Sequence, residues 1–286
     1  MSRIEFPWSH HMTSQLEKAV RFKQLHDRPG AFVIPNPWDA GTACLLTSLG
    51  FEALATTSLG LAITLGHATA TPAEILANCK AIADATSLPV SVDLENCGAD
   101  EPGAAAEMIR RASEAGAVGG SIEDATGNAS RPIYDFSLAV ERVQAAVEAA
   151  RALPFPFMLT ARAENLLWGR RDLDDTIKRL QAFEAVGADV LYAPGLHDIG
   201  TIRTVVSSLN RPFNLVMGFA DPTLTVAELS AAGVKRISVG GAMERHALSA
   251  FLRCAREMKD QGAFTFVRDM APVKEVREAF AAAKSE

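Results

Sequence analysis

Eight short apolar runs, separated by stretches of helical period, constrain this chain more than any other feature. They are Phe32–Pro37, Ala53–Thr57, Pro89–Glu95, Gly119–Asp124, Phe157–Glu164, Asp189–Pro194, Phe213–Gly218 and Arg236–Gly241. Between them, segments such as "EPGAAAEMIRRASEAGA" and "DLDDTIKRLQAFEAVGA" repeat apolar residues at helical spacing. Asp172 or its neighbours cap the second of these, and Gly187 follows its end. The glycines of "SLGF" (48–51), "AGA" (115–117), "VGA" (186–188) and "AAGV" (231–234) each stop a helix just before a strand. Eight strands, each followed by a helix, predict an α/β fold, the (β/α)8 TIM barrel. A doubly wound open sheet is the alternative. It normally has fewer strands and often a Gly-rich phosphate loop after the first, which "PNPWDAG" does not resemble.

A chain of 286 residues is long enough for one large barrel. No Pro/Ser/Gly-rich linker divides it, so residues 30–286 are expected to form one barrel domain with a C-terminal helical extension. The extension starts near Ala263 and carries a last helix near Pro272–Lys284. Residues 1–29 read as a leader and a helix. Within them, "MSRIEFPWSHHM" lacks a secretory apolar core, Met12 is an alternative start, and His10 and His11 carry no function. The net charge of −6, without a dense Lys/Arg cluster, argues against nucleic acid as a partner. No apolar run is long enough to span a bilayer. The 4 cysteines are scattered, with no C-x-x-C pair, which excludes a zinc knuckle or a disulfide framework and makes a reducing cytoplasm the default location. Cys44, Cys79 and Cys254 fall in helices; Cys97 falls in a loop, where an inert thiol is favoured over a reactive one.

In a barrel of this kind the active site forms at the C-terminal ends of the strands. The polar residues gather there. The first run ends at Trp38 and Asp39, the second at Thr57 and Ser58, the third at Asp93 and Glu95, the fourth at Glu123 and Asp124, and the fifth at Arg162, Glu164 and Asn165. The opposite ends are rich in Pro, Gly and Ala. On a regular strand Asp93 and Glu95 share a face. Asp93, Glu95 and Glu123 then converge from neighbouring strands, and such acids repel unless a cation sits among them. Oxygen ligands suit Mg²⁺ or Mn²⁺. Arg162 beside them offers a fork for a substrate carboxylate. Together these groups suit a small 2-oxo acid, with metal and arginine stabilising an enolate.

Blander readings stand beside these. Asp124 is more at home in a cap or a salt bridge, Arg162 and Glu164 are placed to pair with each other, and His67 and His197 fall in surface loops. Trp38 either packs or walls the pocket.

The motifs "PNPWDAG", "ATTSLGLAITLG", "SVDLEN", "GGSIEDA", "LTARAEN" and "ISVGGA", in that order from about Gly30 onward, resemble the isocitrate lyase / phosphoenolpyruvate mutase superfamily. The resemblance implies a (β/α)8 barrel that swaps its last helix between two subunits, usually in a dimer of dimers. It implies that Asp93 binds Mg²⁺ directly while Glu95 and Glu123 hold its waters. Arg162 would grip the substrate carboxylate or stabilise the intermediate. Thr57, Ser58 and Leu59 would wrap the 2-oxo acid carboxylate with backbone N–H groups and a hydroxyl, and Trp38 and Asp39 match the end of the family's first strand. Glu164 and Asn165, beside Arg162, complete the expected substrate contacts.

The reaction-specific parts depart from the named members. The lyases carry Lys-Lys-Cys-Gly-His in a gating loop after the fourth strand, whose Cys protonates the leaving fragment. Here the region reads "EDATGNASRPIYDFS", without Cys or Lys. Asn128 and Ser130 are at most a distorted echo of the phosphonomutase version, and a further family carboxylate is replaced near Thr69. After Glu95 the usual Gly-Tyr-Gly becomes Cys97-Gly98-Ala99. The resemblance therefore implies an Mg²⁺-dependent carbon–carbon lyase acting on a small 2-oxo acid or a 2-hydroxy di- or tricarboxylate. An oxaloacetate-type decarboxylase or a phosphonopyruvate enzyme is the alternative. A non-catalytic 2-oxo acid-binding protein is the reading from another class.

Overall fold

The computed structural model describes residues 13–283. The leader with His10 and His11, and Lys284 at the expected end of the last helix, lie outside the described residues. All eight expected strands form: β1 (Phe32–Ile34), β2 (Leu54–Ala55), β3 (Val90–Asp93), β4 (Gly119–Glu123), β5 (Met158–Arg162), β6 (Val190–Tyr192), β7 (Phe213–Val216) and β8 (Arg236–Ser238). The helices are α1 (Gln15–Asp27), α2 (Ala40–Ser48), α3 (Ser58–Leu65), α4 (Pro72–Asp84), α5 (Pro102–Glu114) and α6 (Phe136–Arg151). They continue with α7 (Leu173–Ala185), α8 (Ile199–Ser207), α9 (Val226–Ala231), α10 (Ala242–Arg256) and α11 (Val273–Ala282). Every strand starts within one residue of its expected start and stops one to three residues early. The missing residues are those that leave the ladder to build the loops over the barrel mouth, a change that apolar patterning does not register.

All strands are parallel, in the order β1-β8-β7-β6-β5-β4-β3-β2. Between β1 and β2 the barrel closes without a ladder. Ala55 N–H donates to Pro35 C=O at 3.0 Å, and the Asn36 amide donates to Thr56 C=O at 3.0 Å. Asn36 Oδ1 also accepts from Val239 N–H and Gly240 N–H, each at 2.9 Å, so one side chain pins β1, β2 and β8 together.

The helix expected ahead of residue 30 is α1, and it plugs the bottom of the barrel. Ser14 and Glu17 close a capping box at its start. Phe22 and Leu25 pack against Phe32, Val118, Met158 and Val190 at the strand starts. Gly119 is required there: a Cβ would lie 2.7 Å from Phe22 Cε1 and 2.8 Å from the Met158 carbonyl. His26 stands edge-on to both Phe22 and Phe32 and donates from Nδ1 to Phe22 C=O at 2.8 Å. Burial first, and then the nearby Arg236, push its pKa down to about 3.

At the other end of the chain, α11 folds back on α2. The outward faces of α10 and of the segment after it carry exposed Phe251, Leu252, Phe264 and Met270. No helix among the described residues is long and apolar enough to cross a membrane.

A histidine held neutral in the fold contributes stability above its unfolded-state pKa and loses it as the pH falls, because the unfolded chain takes up a proton that the folded chain refuses. Urea midpoints of the wild type are therefore expected to fall between about pH 6.5 and pH 3 more steeply than those of His26→Phe. The difference is on the order of a few kcal/mol. Parallel curves for the two proteins would refute the assignment.

Candidate active site

β4, β5 and β6 end at one level, and β3 ends two residues lower. Asp93 lies opposite Ser121 in the ladder, Glu123 opposite Arg162, and Arg162 opposite Tyr192. Arg162 stands at the centre of this layer. Its Nη1 lies 2.9 Å from Asp93 Oδ1, and its Nη2 lies 3.1 Å from Glu123 Oε2 and 2.8 Å from Glu164 Oε1. Its guanidinium carbon stands 4.9 Å from the centre of the Tyr192 ring. One cation on β5 thus answers acids from the ends of β3 and β4 and from the loop after β5. Arg162 pairs with Glu164, as the blander reading has it, and its side chain also lines the cavity at the mouth.

Asp93 is held from the other side by the start of α3. Its Oδ2 accepts from Ser58 Oγ at 2.8 Å and from Ser58 N–H at 3.2 Å, and its Oδ1 accepts from Ser121 Oγ at 3.3 Å. Thr57 caps α3, so Thr57, Ser58 and Leu59 form a helix start whose N–H groups favour anions.

Glu95 reaches the same mouth by a route that alternation did not foresee. β3 stops at Asp93, and Glu95 and Cys97 take left-handed φ values of 49° and 64°. Such residues cost about 1–3 kcal/mol each unless their surroundings impose them. Here the turn is tied down. Glu95 C=O accepts from Glu123 N–H at 3.0 Å, Asn96 Nδ2 donates to Thr126 C=O at 3.0 Å, and the buried Arg142 donates to the carbonyls of Asn96 and Ala99. Burial raises the Glu95 pKa, with Asp93 adding to it. Burial also lifts Glu123 well above the usual carboxylate range against the pull of Arg162, and it raises Glu164. Four acids around one arginine leave excess negative charge. That donor set, all oxygen, fits a hard divalent cation. Among the described residues no three acidic, His or Cys side chains stand close enough to hold an ion together. Asp93, Glu95 and Glu123 share the mouth but do not form a closed ligand cage.

A cavity of about 230 Å³ opens at this mouth and runs down the barrel axis. Thr57, Ser58, Leu59, Asp93 and Arg162 line it. Glu95, Glu123 and Glu164 line an adjoining hollow with Ser58, Arg162 and Trp168.

Other expected residues lie elsewhere. Asp39 lines neither space; its Oδ1 accepts from Thr42 N–H at 2.7 Å and caps α2. Trp38 precedes that cap, its carbonyl accepting from Asn78 at 2.9 Å. Both were expected at the substrate because they end the first apolar run, but the chain turns into α2 there. Asn165 is also outside: its amide donates to Asp175 at 2.5 Å. Asp124 is a buried salt-bridge partner of Arg179 at 3.1 Å, in agreement with the blander reading. His67 and His197 line neither cavity. Cys97 is 3% exposed, and burial pushes its thiol up to about 12, which describes an inert core cysteine. The segment Thr126–Tyr134 is fastened at its base by Tyr134 N–H to Asp124 C=O and by Tyr134 Oη donating to Asp100 at 2.6 Å.

Among the lining residues that reading the strand ends missed are Tyr192, Asn214, Arg236 and Arg245. The first three sit inside the apolar runs "VLY", "FNLV" and "RIS". A polar residue within such a run was the available signal.

Replacing Arg162 by Met strands three acids that it now answers. Stability is expected to fall by about 3–5 kcal/mol, read from urea midpoints, whereas Arg162→Lys recovers part of the loss. Cys97→Ser is expected to keep turnover, because a buried thiol of raised pKa supplies no proton to the mouth. Loss of turnover with metal binding intact would show instead that Cys97 acts as an acid.

The phosphoenolpyruvate phosphomutase family model matches residues 22–259. The crystal structure of a candidate lyase/mutase from Burkholderia cenocepacia superposes with a TM-score of 0.91 at 56% identity, covering 93% of this chain and 96% of that one. An uncharacterized protein of Mycobacterium tuberculosis is 31% identical over 245 residues, 84% of this chain and 90% of its own length. The 2-methylisocitrate lyase of Halalkalibacterium halodurans is 28% identical over 280 residues, 93% of this chain and 90% of its own.

Proposed function

This chain belongs to the phosphoenolpyruvate phosphomutase family, within the isocitrate lyase superfamily of enzymes, and we propose that it is an Mg²⁺-dependent carbon–carbon lyase. Its substrate is a small 2-oxo acid or a 2-hydroxy di- or tricarboxylate, cleaved through an enolate. The observation that carries this reading is the Arg162 cluster. A fixed cation and an acid-rich mouth flank a helix start, and one small cavity opens among them.

Asp93 would hold the ion, with Glu95 and Glu123 holding its waters, and Mn²⁺ has the same ligand preference. A divalent ion held by these residues would supply Lewis-acid stabilisation to a 2-oxo group. The chain's own residues do the remaining work. The first turn of α3 orients a substrate carboxylate through its N–H groups and the Thr57 and Ser58 side chains. Ser58 and Ser121 keep the Asp93 carboxylate in one orientation. Arg162, fixed by Glu164 and the Tyr192 face, supplies positive charge that needs no reorganisation as negative charge develops.

Decarboxylation of an oxaloacetate-like acid is the second reading, and one observation favours it. Among the described residues no cysteine lines either space at the mouth, and the segment after β4 carries no thiol to protonate a leaving fragment. Carbon dioxide leaves unprotonated, so that step needs none.

The partner we infer is a second copy of the chain, joined through α10 as a dimer or tetramer. The exposed Phe251 and Leu252 on a helix that buries little against its own barrel support this. A cytoplasmic location agrees with four cysteines scattered along the chain without a C-x-x-C pair.

Pyruvate, glyoxylate, succinate and phosphate are the products to assay, with Mg²⁺, from oxaloacetate, methylisocitrate, dimethylmalate and phosphonopyruvate. Cleavage of a carbon–carbon bond in one of these is expected. Tight oxalate binding with no product from any would overturn the lyase reading. Asp93→Ala is expected to abolish metal binding; if affinity survives, the metal site lies elsewhere. In light scattering the wild type is expected as a dimer or tetramer, and Phe251→Glu with Leu252→Glu as a smaller species.

A further inference from the structure

Below the mouth the cavity reaches Arg236, the first residue of β8. It is 5% exposed. Its Nε donates to Asn214 Oδ1 and its Nη2 to Thr160 Oγ1, each at 2.8 Å. Its Nη1 is buried and meets no acceptor among the described residues. Both acceptors are neutral. The one ionisable side chain that raises its pKa is the Tyr192 phenol; burial dominates and lowers the guanidinium to about 10. Among the described residues Arg236 forms no ion pair with a carboxylate, in contrast to Arg162 and Arg179. Arg142 is likewise buried without a carboxylate, but its fork closes on two backbone carbonyls and the Tyr134 ring, and it lines neither space at the mouth. An unanswered guanidinium in the interior is costly.

The position of this charge in the barrel matters. Thr160 lies opposite Ser121, and Ser121 opposite Asp93. Arg236 Nη2 reaches that layer, two residues below Arg162 along β5, which is about 6.6 Å on a parallel strand. Ser91, Ser121, Asn214 and Ser238 surround the lower cavity with hydroxyl and amide groups. From beneath, α1 seals it with Phe22 and with His26, which burial keeps uncharged at neutral pH. The guanidinium can therefore be answered only from the cavity side.

We propose that the floor of the cavity is an anion site in which Arg236 binds one carboxylate or a similarly small monoanion, distinct from the divalent-ion and 2-oxo acid site at the mouth. The anion has two sources: the far carboxylate of the substrate, or an independent ion. In the first case, which rests on the lyase reading above, the substrate is a dianion spanning mouth and floor.

Calorimetric titration of the metal-free full chain with acetate tests the floor, and titration with oxalate in the presence of Mg²⁺ tests the mouth. Acetate is expected to bind the wild type and to bind Arg236→Met at least about tenfold more weakly, as loss of a charge-assisted hydrogen bond from Nη1 implies. Mg²⁺-dependent oxalate binding is expected to be equal in the two. Equal acetate binding by both proteins, or by neither, overturns the proposal. Failure of oxalate binding with acetate binding intact overturns the mouth reading and leaves the floor site standing. Competition between acetate and oxaloacetate assigns the floor to the substrate's second carboxylate, and simultaneous binding assigns it to an independent anion. Should Arg236→Met not fold, wild-type crystals soaked in bromide decide the matter: an anomalous peak beside Nη1 is expected, and a floor without one overturns the site.

Discussion

The Arg162 guanidinium joins three adjacent strands of the barrel at the ends where they would otherwise repel. Asp93, Glu123 and Glu164 each meet it at 2.8–3.1 Å. Without a cation there, parallel strands β3, β4 and β5 would bring unpaired acids together in a buried space. The arginine does not neutralise the cluster, since Glu95 is a fourth acid nearby and burial raises its pKa. The mouth is therefore stable as protein yet still electrically hungry, which is the condition for taking up a divalent ion.

The barrel axis carries a gradient that the helices impose from outside. At the bottom, α1 supplies Phe22 and an uncharged His26, so the strand starts see an apolar lid. In the middle sit Thr160, Asn214 and Arg236, polar but without an acid among them. At the top stand the carboxylates. On the proposed reading, positive charge below and negative charge above would orient a ligand that carries both an acid group and a metal-seeking oxo group. The left-handed turn at Glu95 and Cys97 contributes to the upper layer. It is tolerated because Arg142 holds the carbonyls of that turn from the outer face.

Much of this was legible in the residues. The eight strands appear where apolar runs and glycine stops put them, and each overreaches mainly at its C-terminal end. Asp93, Glu95, Glu123, Arg162, Glu164 and the Thr57–Leu59 segment all reach the mouth. Trp38, Asp39 and Asn165 do not line it. Asp39 is the instructive case: an Asp after a strand is both a candidate ligand and a good helix cap, and the capping hydrogen bond to Thr42 decided between them.

The sequence by itself determined the strand and helix alternation, because periodicity and helix stops are local properties of the chain. It also determined which strand ends carry acids, because those positions are read by counting. Tertiary structure alone decided which charges meet and which residues face the axis. In a parallel barrel both faces of a strand are buried, so alternation does not tell inward from outward. Arg236 and Asn214 looked like interruptions of apolar runs, and only closure of the barrel turned them toward one another. Glu95 shows the same limit: its direction follows from a left-handed turn held by distant partners rather than from its spacing to Asp93.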